Sequence, residues 1–304
     1  MKPTMNIGGG DYLVDTTRSR DIGYPRRGAL RKRGRRSPVT VCIAAICQFR
    51  DAPTIVGATD HMITAGDIEF EPPKSKIFPL TELTIALLAG DASDQESICQ
   101  DTLAAINKKT IVLGKEGAEQ YAQSFRAHRR KKAELEILSS LGLSLDSFRA
   151  QSQQISPEIV RYLRQQLEFY EFDPETIITG VDYLGGHIYI IRDKGHIECN
   201  DRIGFAAIGY GARHAESEFM FAKYTPNQLF GRALLVTYSA KKRAEVAPGV
   251  GKGTSMFVIG KEGWFYVPKT IVDDLAEKYN NLQTKIADLK SHVASILADI
   301  PTPA

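Results

Sequence analysis

Two blocks of short, apolar, β-rich runs, held apart by a long helical stretch, constrain this chain more than any other feature. In the first block, residues 40–47 and 54–59 are mostly apolar and flank the turn Arg50-Asp-Ala-Pro53, a pattern that predicts a buried hairpin. Runs at 76–78 and 84–89 follow around Pro79, and Ser93 or Asp94 stands where a helix N-cap is expected. Helical spacing then covers 94–108, 116–140 and 156–170, the last opened by Pro157. The second block, 176–182, 187–191 and 196–198, is joined by glycine-containing turns and predicts a meander. Helices at 212–222 and 227–243, a hairpin of 254–260 with 264–267, and a long polar helix of heptad character at 270–298 complete the order. Strands, helices, strands, helices, strands suit two sheets packed face to face with helices outside.

Charge divides the chain sharply. Residues 1–39 carry ten Lys/Arg against three Asp, a net +7, so the remainder is −4 within a total of +3. With GGG at 8–10, the run RKRGRR at 31–36 and no apolar periodicity, this leader reads as disordered, a propeptide or the product of a misassigned start. A nucleic-acid arm is the less favoured alternative. The rest, at 43% hydrophobic for the whole chain, has enough apolar content for a full core. No apolar run reaches membrane-spanning length and no signal-peptide core is present, so the expectation is a cytoplasmic protein without membrane contact. Cys42, Cys47, Cys99 and Cys199 form no CxxC pair and read as core thiols.

The chemistry-bearing residues sit at the ends of these runs. Thr40 opens the first, Asp60 closes the second, Lys76 opens the third sixteen residues later, and Gly90 follows the fourth. Singly, each has an ordinary reading: a β-former, a strand terminator, a solvated lysine, a turn glycine. Together, in this order, they resemble the opening of proteasome β subunits and their simpler bacterial relatives. Phe205-Ala-Ala-Ile-Gly-Tyr210-Gly211 is similar to that family's glycine-flanked strand-to-helix junction. The resemblance covers most of 40–267. It implies an α+β fold of the N-terminal-nucleophile (Ntn) hydrolase type, a four-layer αββα sandwich over 40–268 with a helical insertion at about 126–172 and a C-terminal helix and tail at 269–304.

It also implies an amide-bond hydrolase, a threonine-type peptidase in a homo-oligomeric ring acting on peptide or protein, with an unfoldase as possible partner and no cofactor or metal. The alternative is a non-catalytic scaffold or regulatory subunit of the same fold. A threonine hydroxyl needs a base, and in the N-terminal variant that base is its own α-amine, which titrates at about 7.7–8.0 where a lysine titrates at about 10.4. Thr40 must then become the first residue. Lys76 would polarise the hydroxyl, Asp60 would hold Lys76, and the Gly90 amide would bind the oxyanion. Pro38-Val39 precedes Thr40 where self-processing relatives have glycine, and Tyr210 stands where a serine assists the amine; its phenol is expected to donate a hydrogen bond there. Glu245 is the candidate second supporting acid.

Two motifs are set aside. Gly249-Val-Gly-Lys-Gly-Thr254 has the flavour of a phosphate loop, but Gly253 follows the lysine and the segment leads into a strand. His61 with Asp60, Asp67, Glu69 and Glu71 reads as a solvated acidic turn, not a metal site.

Overall fold

The computed structural model describes residues 40–65, 68–70, 76–107 and 114–297. The leader 1–39, expected above to be disordered, and the tail 298–304 lie outside the described residues.

In chain order the strands are β1 (Cys42–Phe49), β2 (Ala52–Thr59), β3 (Ile63–Ala65), β4 (Ile68–Phe70), β5 (Ile77–Pro79), β6 (Thr84–Ala89), β7 (Glu175–Asp182), β8 (Gly185–Arg192), β9 (His196–Cys199), β10 (Phe205–Ile208), β11 (Ser255–Gly260) and β12 (Gly263–Tyr266). The helices are α1 (Ala92–Ile106), α2 (Lys115–Ala133), α3 (Leu145–Gln151), α4 (Pro157–Glu168), α5 (Ala212–Phe221), α6 (Phe230–Ala244) and α7 (Lys269–Leu297). Two antiparallel five-stranded sheets carry the fold, ordered β10-β1-β2-β11-β12 and β5-β6-β7-β8-β9, with β3 and β4 as a separate hairpin. The fold is therefore α+β.

Alternation along β1 explains the burial. Cys42, Ala44 and Ile46 join Ile85, Leu87, Ile177 and Ile190 of the other sheet in one apolar core, because successive side chains of a strand point to opposite faces. Val41, Ile43, Ala45 and Cys47 point the other way, into a core with α5, α6 and the first turns of α7. On the second sheet, Ala86, Ile178 and Ile191 pack with Ile98 of α1 and with Tyr121 and Phe125 of α2. The Tyr121 hydroxyl pairs with Gln95 Oε1 at 2.7 Å and Thr176 Oγ1 at 2.8 Å, tying α1, α2 and β7 together inside that core.

Several sequence readings shift. The cap of α1 is Asp91, not Ser93 or Asp94: its extended backbone lets the carboxylate accept from the amides of both. The 116–140 helix leaves α geometry after Ala133, passing through a π-helical turn (Glu134–Leu138) and a 3-10 turn (Ser139–Leu141) that ends at left-handed Gly142. The short α3 and the β3–β4 hairpin were not foreseen, and α6 begins at Phe230 instead of 227. Cys42, Cys47 and Cys99 are buried free thiols as expected, whereas Cys199, at the end of edge strand β9, is exposed. Among the described residues no helix is long and apolar enough to cross a membrane.

The β7–β8 hairpin is closed by a charge cluster. His187 Nε2 lies 2.9 Å from Asp182 Oδ1 and Nδ1 lies 2.8 Å from Asp201 Oδ2, so both ring nitrogens face carboxylates and both must donate. Asp201 also accepts from the Ile188 amide at 2.8 Å. The hydrogen bond to Asp201, aided by that to Asp182 and opposed by burial, pushes the His187 pKa up from 6.5 to about 9. A histidine whose folded pKa is raised contributes stability that is fully present below its unfolded pKa and lost as pH rises through the folded one. The advantage of the native protein over His187→Gln should therefore be greatest below pH 6.5 and shrink towards about 9 in thermal melts across that range. An advantage that does not change with pH would refute the imidazolium assignment.

Candidate active site

Antiparallel pairing of β1 with β2 sets Cys42 opposite Thr59, so Thr40 and Asp60, just beyond the paired residues, meet at one end of the hairpin. The Asp60 amide donates to the Val41 carbonyl at 3.2 Å and the Val41 amide returns a bond to Asp60 Oδ1 at 3.0 Å. Lys76 comes from the other sheet. Its carbonyl accepts from the Leu88 amide at 2.9 Å, while the Cys42 thiol reaches the Leu88 carbonyl at 3.4 Å, and this holds the start of β5 beside the start of β1.

The three side chains converge. Thr40 Oγ1 donates to Asp60 Oδ1 at 2.5 Å, Lys76 Nζ donates to the same oxygen at 2.6 Å, and Lys76 Nζ also donates to Thr40 Oγ1. Asp60 is 0% exposed and the Lys76 side chain 11%. Asp60 Oδ2 is satisfied separately, by the Gly251 amide at 2.9 Å and the Met62 amide at 3.2 Å. The carboxylate thus neutralises the ammonium and fixes it against the hydroxyl, and the hydroxyl oxygen, with a cation on one side and an acceptor for its proton on the other, is polarised for attack. The Cys42 thiol is pushed up to about 12 by burial, which keeps it protonated and a weak nucleophile.

The expected backbone partners are placed as follows. Gly90, at φ +122°, turns the chain from β6 towards α1, and a Cβ there would come within 2.9 Å of Pro174 Cα, so only glycine fits. Its position two residues beyond Leu88 puts it at the same end of the sheet as Lys76. Tyr210 is 48% exposed, and its phenol makes no hydrogen bond among the described residues. What the Gly209–Gly211 turn contributes is backbone. The Gly211 amide donates to the Thr40 carbonyl at 3.2 Å, and Gly209, at φ +85°, leaves room for Thr40 where a Cβ would lie 2.5 Å from that carbonyl oxygen.

Sequence reasoning missed the residues that brace this arrangement. Glu175, at the start of β7, accepts from the Gly209 amide at 2.9 Å and so holds the turn from the other sheet. Lys241, 0% exposed on α6, donates to Glu245 Oε1 at 2.5 Å and to the carbonyls of Gly251 and Lys252, both at 2.9 Å. Burial pushes its ammonium below the ordinary lysine range against the pull of Glu245. The segment dismissed above as a phosphate loop is thus clamped by a buried lysine and presents the Gly251 amide to Asp60. Glu245 belongs to this clamp, bonding Lys241 and Lys242, and is not an acid at Thr40. The available signal was helical spacing: Lys241 shares a buried face with Thr237 and Ala244.

Among the described residues no group of three His, Cys, Asp or Glu side chains could hold a metal ion; Asp67 and Glu71 lie outside them, and His61 pairs with Ser255 Oγ at 2.7 Å. No protein-family model matches the chain, and no curated protein matches it significantly.

Two substitutions probe the bracing. Lys241→Met strands two carbonyls and should cost about 1–3 kcal/mol in urea unfolding, with faster hydrogen exchange at the Gly251 amide. Gly209→Ala should displace the Thr40 carbonyl and destabilise the fold more than Ala at Gly231, where an added Cβ meets nothing within 4 Å; equal effects at the two sites would discount the close approach.

Proposed function

We propose that the chain is an Ntn hydrolase of the proteasome-like type, a four-layer αββα sandwich that cleaves amide bonds of peptides through Thr40. The carrying observation is the triangle of Thr40 Oγ1, Asp60 Oδ1 and Lys76 Nζ at the meeting point of two sheets. Three apolar cores, one shared by the sheets and one on the outer face of each, support the layer reading. A homo-oligomeric ring in the cytoplasm, with an unfoldase delivering substrate, is the setting the resemblance implies.

The chemistry runs in two steps. Thr40 Oγ adds to the substrate carbonyl as its proton passes to the free α-amine of Thr40, and the Gly90 amide binds the oxyanion. Collapse breaks the C–N bond, the leaving amine takes that proton, and an ester to Thr40 remains. Water, deprotonated by the same amine, hydrolyses the ester to a carboxylic acid and restores the hydroxyl. Lys76 lowers the energy of the alkoxide, and Asp60 keeps it in place. The amine exists only once the residues ahead of Thr40 are removed, because an amide nitrogen is not a base.

Native mass spectrometry should therefore find a mature chain beginning at Thr40, and Thr40→Ala should abolish turnover of fluorogenic peptides while leaving the melting temperature within a few degrees. The rate should climb with pH through about 8 as the α-amine loses its proton. Full turnover by a protein that retains Val39, or by Thr40→Ala, would end this assignment.

A further inference from the structure

Helix α7 begins as part of the domain and ends as an arm. Val272, Leu275, Ala276 and Tyr279 pack against the core beneath α6, whereas from Asn280 to Leu297 every residue is exposed except half-buried Ile286. The apolar seam does not stop where the domain does. Val272, Tyr279, Ile286 and Val293 recur every seven residues, and Leu275, Leu282, Leu289 and Ile296 follow each of them by three. This is a heptad repeat with mainly β-branched residues at its first apolar position and leucine at its second, the combination that favours two-stranded coils. Leu289 is left 65% exposed and Ile296 57%. Large apolar groups in one line on an otherwise polar helix mark a surface that is covered in use.

The flanks say by what. The positions that border the seam hold Lys278, Lys285 and His292 on one side and Gln283 and Lys290 on the other, with no acid on either. None of these lysines makes an ion pair among the described residues. The acids Asp273, Asp274, Glu277 and Asp288 fall on the outer face. In a parallel pairing with a second copy, Lys285 would stand opposite Lys290, and an antiparallel pairing sets one basic flank against its own copy; like charges there oppose association. The basic leader at 1–39 carries the same sign and is excluded as an occupant for the same reason. An anionic lipid surface fits less well, because the apolar stripe is narrow and the outer face carries acids.

We propose that the exposed half of α7 docks one amphipathic helix of another protein, apolar along its own heptad seam and glutamate- or aspartate-rich beside it. This surface lies outside the Thr40 site and does not depend on the hydrolase reading.

The test uses the full chain and a synthetic four-heptad peptide with isoleucine and leucine in the seam and glutamate at both flanks, alongside a twin with lysine at the flanks. Fluorescence anisotropy should show the glutamate peptide binding at least about tenfold more tightly than its twin, with the gap narrowing as salt rises. Leu289→Glu should abolish binding while circular dichroism stays unchanged. Equal affinity for both peptides, or binding of neither, overturns the proposal. So does a fall in oligomer size on Leu289→Glu by light scattering, which would make a second copy the occupant. Co-sedimentation with phosphatidylserine–phosphatidylcholine vesicles that Leu289→Glu eliminates would overturn it in favour of a membrane surface.

Discussion

The buried carboxylate of Asp60 is the interaction on which the site is built. Removing a carboxylate from water costs several kcal/mol, and only a full set of donors offsets that. Here the donors come from four places: the two residues just ahead of β1, the Met62 amide just past β2, the lysine ahead of β5 and the loop ahead of β11. Hydrogen bonds to a charged group contribute about 1.5–3 kcal/mol each, so the four segments are coupled through one side chain. Disturbing any of them leaves a buried charge short of a partner, which explains why so much surrounding structure is backbone held in fixed geometry.

A second buried charge extends this control outward. Lys241 reaches across from α6 to the carbonyls of the Gly251–Lys252 segment, and the amide of that segment reaches Asp60. The cation donates to carbonyls of the loop while the anion accepts a hydrogen bond from its Gly251 amide. Helix, loop and the Asp60 carboxylate are therefore tied together by hydrogen bonds. Glu175 does the equivalent service for the Gly209 turn from the opposite sheet.

How legible all this was in the sequence depended on whether a residue's role followed from its position in an element. Thr40, Asp60 and Lys76 stand within two residues of strand ends, where the run of apolar residues locates them, and the strands were read at nearly their observed bounds. Gly90 was legible for the same reason. Lys241 was not, because Lys-Lys-Arg in a helix looks like a solvated face, and only the tertiary contact with the Gly251 loop makes it internal. The backbone contribution of the turn, through the Gly209 and Gly211 amides, left no mark in the sequence beyond the two glycines. The Asp91 cap competed with two good capping residues directly after it, and it is Asp91 that has the extended backbone and accepts from both of their amides. The β3–β4 hairpin and α3 are too short to leave a periodic signal.

The helical segment between β6 and β7 has, in its second half, an interior of its own. Leu138, Phe148 and Leu163 pack together with Ile137, Leu143, Ile155 and Val160, and none of these side chains belongs to the three cores of the sheets. The segment joins the rest where α2 loses regular geometry, at the π-helical turn. Such an arrangement frees evolution to lengthen, trim or reshape this lobe without repacking the sheets that hold Thr40, so relatives should vary most here while their strand ends stay fixed.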